Sequence, residues 1–152
     1  MKAAPGLMDV YAMESMLKML GCACRWQGDE LTIESSRLHN WEMPDAISKQ
    51  IRSSIFLLGP ILGRLRKATV TYPGGCEIGL RPIDLHLSAL RSMGAQITEE
   101  GGYLVCRANK LSGCCINLDF PSVGATENIM LASLAASGET VIHNAAREPE
   151  IE

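Results

Sequence analysis

Hydrophobic positions along this chain follow helical and strand periods in an order that is written twice. Leu17-Lys18-Met19-Leu20-Gly21 and Leu90-Arg91-Ser92-Met93-Gly94 each read as the close of an amphipathic helix, with Gly in the left-handed position beyond the last turn. The first of these helices opens at Met8-Asp9-Val10. The same offset of 73 residues carries Gly28 to Gly101, Leu31 to Leu104 and Leu38 to Leu111. Each helix is followed by a short strand, a glycine turn (27–30 or 99–102) and a second strand, Leu31 to Glu34 or Tyr103 to Arg107. A proline-led helix then starts at Pro44 or Pro121, where a missing N–H loses no useful hydrogen bond. Ile47, Ile51, Ile55, Leu58 and Leu62 are spaced 4, 4, 3 and 4, which predicts a single helix with one buried face. Its counterpart is expected to run through Ile129 and Leu134 to Ala136, with Gly138 beyond its end. Each helix feeds a strand, Ala68 to Tyr72 or Glu139 to His143. The predicted order is α-β-β-α-β, repeated, with a third copy opening at 144, and the fold class is α/β. Neither end reads as a capping unit, so the chain is expected to be a piece of a longer polypeptide.

Composition narrows the partners. The 152 residues are 47% hydrophobic but only 5% aromatic, so the interior is expected to be aliphatic. A net charge of −3 without a long like-charge block argues against nucleic acid or an acidic membrane as a partner. The longest apolar stretch, Ile55 to Leu62, is far short of a bilayer span. The N-terminal residues lack the pattern of a signal peptide, which points to the cytoplasm. Six cysteines, at 22, 24, 76, 106, 114 and 115, form no CxxC pair and have no His at zinc-finger spacing. They read as reduced thiols, with no metal and no cofactor expected. Cys22 and Cys24 alternate on a strand and mark one buried face.

The chemistry concentrates in residues 72–84, Tyr72-Pro73-Gly74-Gly75-Cys76-Glu77-Ile78-Gly79-Leu80-Arg81-Pro82-Ile83-Asp84. Five of these positions are Gly or Pro, which excludes a helix interior or a central strand. A thiol on such a loop, with a guanidinium five residues on, is set for an elevated thiolate fraction. The same residues also fit a plain loop with a half-buried Cys.

Pro73-Gly74-Gly75-Cys76, Arg81-Pro82-Ile83-Asp84-Leu85-His86, Ser122-Val123-Gly124-Ala125-Thr126-Glu127-Asn128 and Asn144-Ala145-Ala146-Arg147-Glu148-Pro149-Glu150 together resemble one family, the UDP-N-acetylglucosamine 1-carboxyvinyltransferases. The resemblance runs from Leu7 to the last residue. It implies transfer of the enolpyruvyl group of phosphoenolpyruvate to the 3′-hydroxyl of UDP-N-acetylglucosamine, with release of phosphate, as the first committed step of peptidoglycan synthesis. It implies an inside-out α/β barrel of two domains, each of three repeated βαβαββ-type units. This chain would be part of the cysteine-lid domain, with units at about 1–75 and 76–143 and a third opening at 144–152.

By the same resemblance Cys76 is the general acid toward the phosphoenolpyruvate methylene and the thiol that fosfomycin alkylates. Arg81 contacts phosphate, and Arg81, Pro82, Ile83, Asp84 and Leu85 lie along the uridine nucleotide. Arg52 is a further anion-contacting arginine, and Ser122, Val123 and Gly124 hold the diphosphate and uridine. The residue types suit the task, because guanidinium forks and helix N-terminal amides clamp anions. Taken without the family, Arg52 reads as a solvated helix flank, Ser122 as an ordinary N-cap and His86 as a surface residue. Arg64, Arg66 and Lys67 read as structural charges at a helix C-terminus, and Arg147 and Glu148 as loop organisers.

The chain also departs from the family pattern. Residues 1–7 hold no Lys-Asn pair of the kind that grips phosphoenolpyruvate in the family, and that pair and the second domain with the proposed base are expected to lie outside these 152 residues. Phe120-Pro121 stands where many members place a lysine near the diphosphate. The expectation is an incomplete enzyme that does not turn over alone. Two alternatives stay open: a non-catalytic nucleotide-binding or dimerising module derived from that enzyme, and the sister enolpyruvylshikimate-phosphate synthase. The latter lacks the Pro-Gly-Gly-Cys motif.

Overall fold

The computed structural model describes residues 1–43, 45–48, 52–71 and 83–151, the side chains of residues 47, 52 and 53 excepted. In chain order the elements are α1 (Met8–Met19), β1 (Ala23–Gln27), β2 (Glu30–Glu34), α2 (Asp45–Ser48), a 3-10 helix (Arg52–Leu57), α3 (Leu58–Leu65) and β3 (Lys67–Thr71). There follow α4 (Asp84–Ser92), β4 (Gln96–Glu100), β5 (Tyr103–Arg107), β6 (Cys115–Asn117), α5 (Val123–Ser133) and β7 (Val141–His143).

Local chemistry repeats at the expected offset. Helix α1 ends with Gly21 at φ 103° and the bonds Gly21 N–H to Lys18 O and Cys22 N–H to Leu17 O. Helix α4 ends identically, with Gly94 at φ 102° and bonds from Gly94 to Arg91 O and Ala95 to Leu90 O. Both are the six-to-one glycine closure that satisfies the last carbonyls. Strands β1 and β2 then pair antiparallel across Gly28, and β4 and β5 across Gly101 and Gly102, all three with positive φ. Two successive left-handed glycines give the turn that matches strand twist.

Strand β5 lies between β3 and β4, with Val70 opposite Leu104. One unit earlier, Met1 and Leu31 exchange backbone bonds at the matching register. A parallel bridge joins Glu42 to Thr69, and the parallel pair β6–β7 is its counterpart. Strand β6 adds an element that the periodicity did not predict.

The predicted single helix through Ile47 and Leu62 is divided. Among the described residues it consists of α2, the 3-10 helix and α3, while Ile51 lies outside them. Pro60 explains the restart at Leu58: it then occupies the first turn, where no N–H to an i−4 carbonyl is needed. The apolar face survives, since Ile55, Leu58 and Leu62 are all buried. The helix after Pro121 starts at Val123 and ends at Ser133, so Leu134, expected within it, lies beyond its last turn and is 84% exposed.

The core is aliphatic, as composition predicted, and includes Met16, Leu20, Leu58, Leu90, Leu111 and Ile129. Two small residues let α3 lie close on α5. A Cβ on Gly63 would sit 2.9 Å from Ala135 Cβ, and one on Gly59 would collide with the carbonyl and Oδ1 of Asn128. Gly59→Ala is expected to destabilise the protein by about 2 kcal/mol, seen as a lower urea midpoint; an unchanged midpoint would refute this close approach.

Candidate active site

Three chain segments singled out by sequence converge at the helix starts. Strand β3 ends at Thr71, and Ile83 is the N-cap of α4. Between them, Cys76, Arg81 and Pro82 lie outside the described residues. Ile83 is 3% exposed, so its side chain belongs to the core and only its backbone can face a ligand. Asp84 is exposed in the first turn of α4, where a carboxylate complements the helix dipole. Leu85 is half-buried. Asp84 and Leu85 open onto a cleft of about 470 Å³ between α4 and β6, shared with Ser88, Asn117 and Asp119.

The start of α5 is the second wall. Ser122 is extended at φ −135° and ψ 116°, and its Oγ accepts from Ala125 N–H at 3.3 Å. The hydroxyl therefore caps the helix, as the bland reading expected, while its own proton remains to donate. Val123 and Gly124 provide first-turn amides that have no acceptor within the helix. Thr126 fastens this turn on both sides: its Oγ1 donates to Ser122 O at 2.8 Å and accepts from Ala146 N–H at 3.1 Å. The loop of Ala146 is held by Asn144, which adopts φ 59° and donates from Nδ2 to Leu118 O at 2.9 Å. Glu148 Oε2 accepts from Arg147 N–H at 2.9 Å, a loop-organising contact, and the Arg147 side chain is exposed. It lines a recess of about 780 Å³ with Pro121, His143 and Asn144.

The third segment is the 3-10 helix headed by Arg52, which packs on α5. The Arg52 side chain is outside the described residues.

Beneath these three starts lies a buried polar cluster. Asn128, fully buried, accepts from Gly59 N–H through Oδ1 at 2.7 Å. That bond fixes its amide orientation, so Nδ2 donates to Ile55 O at 3.1 Å and to His86 Nδ1 at 3.1 Å. His86 must then be the neutral tautomer with its proton on Nε2. Its ring stacks on Phe56, with centroids 6.4 Å apart and planes 14° from parallel. A Cβ on Gly124 would lie 2.6 Å from Phe56 Cε1 and 3.3 Å from His86 Cε1, so only glycine lets α5 settle there.

His86 corrects the surface reading: it is 7% exposed, and burial pushes its pKa down to about 4. Sequence reasoning gave Asn128 and Phe56 no role. An Asn one helical turn after Gly124 and among Ala125, Ile129 and Ala132 was the available signal, since a polar residue on an apolar face needs partners.

Burial disfavours the thiolate at four of the described cysteines. Burial raises the pKa values of Cys22, Cys24 and Cys114, and that of Cys106 is pushed up to about 12. Cys115 is exposed on the cleft beside Asp119. Arg64, in the last turn of α3, reaches Ser35 Oγ at 3.3 Å, and Lys67 Nζ sits 4.2 Å from the centre of the Trp41 ring. These contacts agree with the structural roles expected of both cations.

The family model for EPSP synthase (3-phosphoshikimate 1-carboxyvinyltransferase) matches residues 1–152. The chain belongs to this family. Among curated relatives, UDP-N-acetylglucosamine 1-carboxyvinyltransferase 2 of Caldanaerobacter subterraneus subsp. tengcongensis is 48% identical over 97% of the chain and 36% of its own length. UDP-N-acetylglucosamine 1-carboxyvinyltransferase 1 of Carboxydothermus hydrogenoformans is 50% identical over 97% of the chain and 35% of its own length. The chain thus spans about a third of the curated relatives it matches. The enolpyruvyl transferase NikO from Streptomyces tendae shares the fold, with a TM-score of 0.83 at 18% identity over 97% of this chain and 35% of that one. An EPSP synthase from Acinetobacter baumannii matches at 0.64 and 25% identity, over 91% of this chain and 32% of that one. The α/β fold is that of the enolpyruvyl transferases.

Proposed function

We propose that this EPSP synthase family member carries the cysteine-bearing part of a UDP-N-acetylglucosamine 1-carboxyvinyltransferase. One observation carries the choice over the sister enzyme. Relatives with that name match at 48–50% identity, against 25% for the EPSP synthase structure. The Pro-Gly-Gly-Cys sequence at 73–76 supports the same choice.

In this reading Cys76 protonates the methylene carbon of phosphoenolpyruvate while the sugar 3′-oxygen bonds the adjacent carbon. Phosphate then leaves as the new methyl group loses a proton, regenerating the enol ether. Arg81 and Arg52 neutralise the anionic donor. The first amides of α5 and the Ser122 hydroxyl meet the diphosphate. Asp84 and Asp119 disfavour phosphate in the cleft between α4 and β6, and suit a neutral N–H donor such as the uracil ring. Pro82, Ile83 and Leu85 supply backbone and apolar contact along it. The base for the sugar hydroxyl belongs to a second domain, with which this chain would close the site. The repeat units are placed at about 1–75 and 76–143, with a third beginning at 144. No described helix is long and apolar enough to cross a membrane, which fits a cytoplasmic enzyme that feeds peptidoglycan synthesis.

The test is phosphate release by a polypeptide carrying the full length of the relatives, with phosphoenolpyruvate and either UDP-N-acetylglucosamine or shikimate 3-phosphate. Turnover with the nucleotide sugar is expected, and turnover with shikimate 3-phosphate alone would reject the assignment. In the same protein fosfomycin is expected to alkylate Cys76 ahead of the other five thiols, because burial raises the pKa values of four of them. Peptide mapping that finds Cys115 labelled as fast would contradict it.

A further inference from the structure

We propose that Asn128, acting through His86 and Gly59, is a positioning residue that sets the nucleotide-sugar contacts at the starts of α4 and α5. The proposal rests on the transferase reading above. Three of the four hydrogen-bonding positions of this one amide are used, and each goes to a different part of the support. Gly59 N–H fixes the start of α3, Ile55 O fixes the 3-10 helix behind Arg52, and His86 fixes the first turn of α4 behind Asp84 and Leu85. Asn128 itself stands one turn beyond Gly124 on α5.

The cluster touches neither cleft nor recess, since none of its members lines them. Its action must pass through backbone placement. Phe56 and His86 form the floor on which Gly124 rests, at a separation that no larger residue permits. If the His86 ring loses its bond to Asn128, the stacked floor is free to rotate. Val123 and Gly124 amides then move relative to Asp84 and Leu85. A displacement of about 1 Å between two contact sets for one ligand carries hydrogen bonds of one set out of range, and binding weakens.

The experiment compares His86→Leu and His86→Asn at the full length of the relatives, well below the Tm of each. Leucine removes the acceptor, while an asparagine Oδ1 can occupy the place of Nδ1. Expected is a rise of about tenfold in KM for UDP-N-acetylglucosamine in His86→Leu, the loss of about one hydrogen bond, kcat little changed, and recovery of most of the loss in His86→Asn. Amide exchange at Leu87, bonded to Ile83 O, and Thr126, bonded to Ser122 O, should quicken in His86→Leu relative to β4 and β5. A lower Tm with unchanged KM and uniformly altered exchange would mean that the cluster is structural only, and would overturn the proposal. If the parent protein releases no phosphate at all, the transferase reading fails. The exchange pattern then still decides whether Asn128 and His86 position the two helix starts.

Discussion

Replacing Cys76 with alanine is expected to lower enolpyruvyl transfer by at least about 100-fold in a polypeptide of full family length. General acid catalysis contributes that order of rate when the donor sits within reach of the reacting carbon, and burial holds back four of the other five thiols. Burial raises the pKa of Cys106 to about 12, and those of Cys22, Cys24 and Cys114 are raised as well. Loss of the acid should act on kcat, with binding of UDP-N-acetylglucosamine retained, because its proposed contacts at Asp84, Leu85 and Ser122–Gly124 stay in place. Steady-state kinetics with a parallel calorimetric titration reads both quantities. Ordinary turnover by the alanine variant would remove Cys76 from the mechanism.

The second large effect is on stability in acid. The His86 pKa is about 4 in the folded protein against an ordinary 6.5, because burial disfavours the charged ring. Between those values the unfolded chain binds a proton that the folded chain refuses, so stability rises with pH across the window. Below pH 4 the full penalty applies, about 3 kcal/mol for a shift of this size. Charge on the ring also places an N–H donor against the Asn128 Nδ2 donor, so the 3.1 Å bond between them is lost. Among the described residues, the groups facing the ring, Phe56, Gly124 and the Asn128 amide, carry no charge that could offset this. Urea unfolding of the parent and of His86→Asn should therefore diverge between pH 6.5 and 4, the parent losing more. A difference independent of pH would show that the imidazole does not titrate on unfolding as described.

Much of the fold was readable because its signals are local. Gly21 and Gly94 follow their helices at φ 103° and 102°, a conformation that side-chain-bearing residues resist. Gly28, Gly101 and Gly102 mark the hairpin turns for the same reason. Pro60 carried a readable warning as well. The regular spacing of Ile55, Leu58 and Leu62 hid it, since a buried face can persist across a change from 3-10 to α geometry. The exposure of Leu134 was not readable, because the periodicity continues past Ser133, where the helix ends.

The candidate site divides along the same line. Ser122 as an N-cap and Asp84 in a first turn follow from neighbours within four residues, and the motif around Cys76 is contiguous. The sequence alone thus determined most of the elements, their order and the types of chemistry on offer, β6 and the division of the helix through Ile47 and Leu62 excepted. Only the tertiary structure decided that His86 is buried and neutral, and that Asn128 joins α3, α4 and the 3-10 helix. Those bonds connect residues 42, 69 and 73 positions apart. Hydrogen bonds and dihedral preferences within a turn are set by adjacent residues. Burial of a polar group, by contrast, depends on which distant atoms the packed helices place around it.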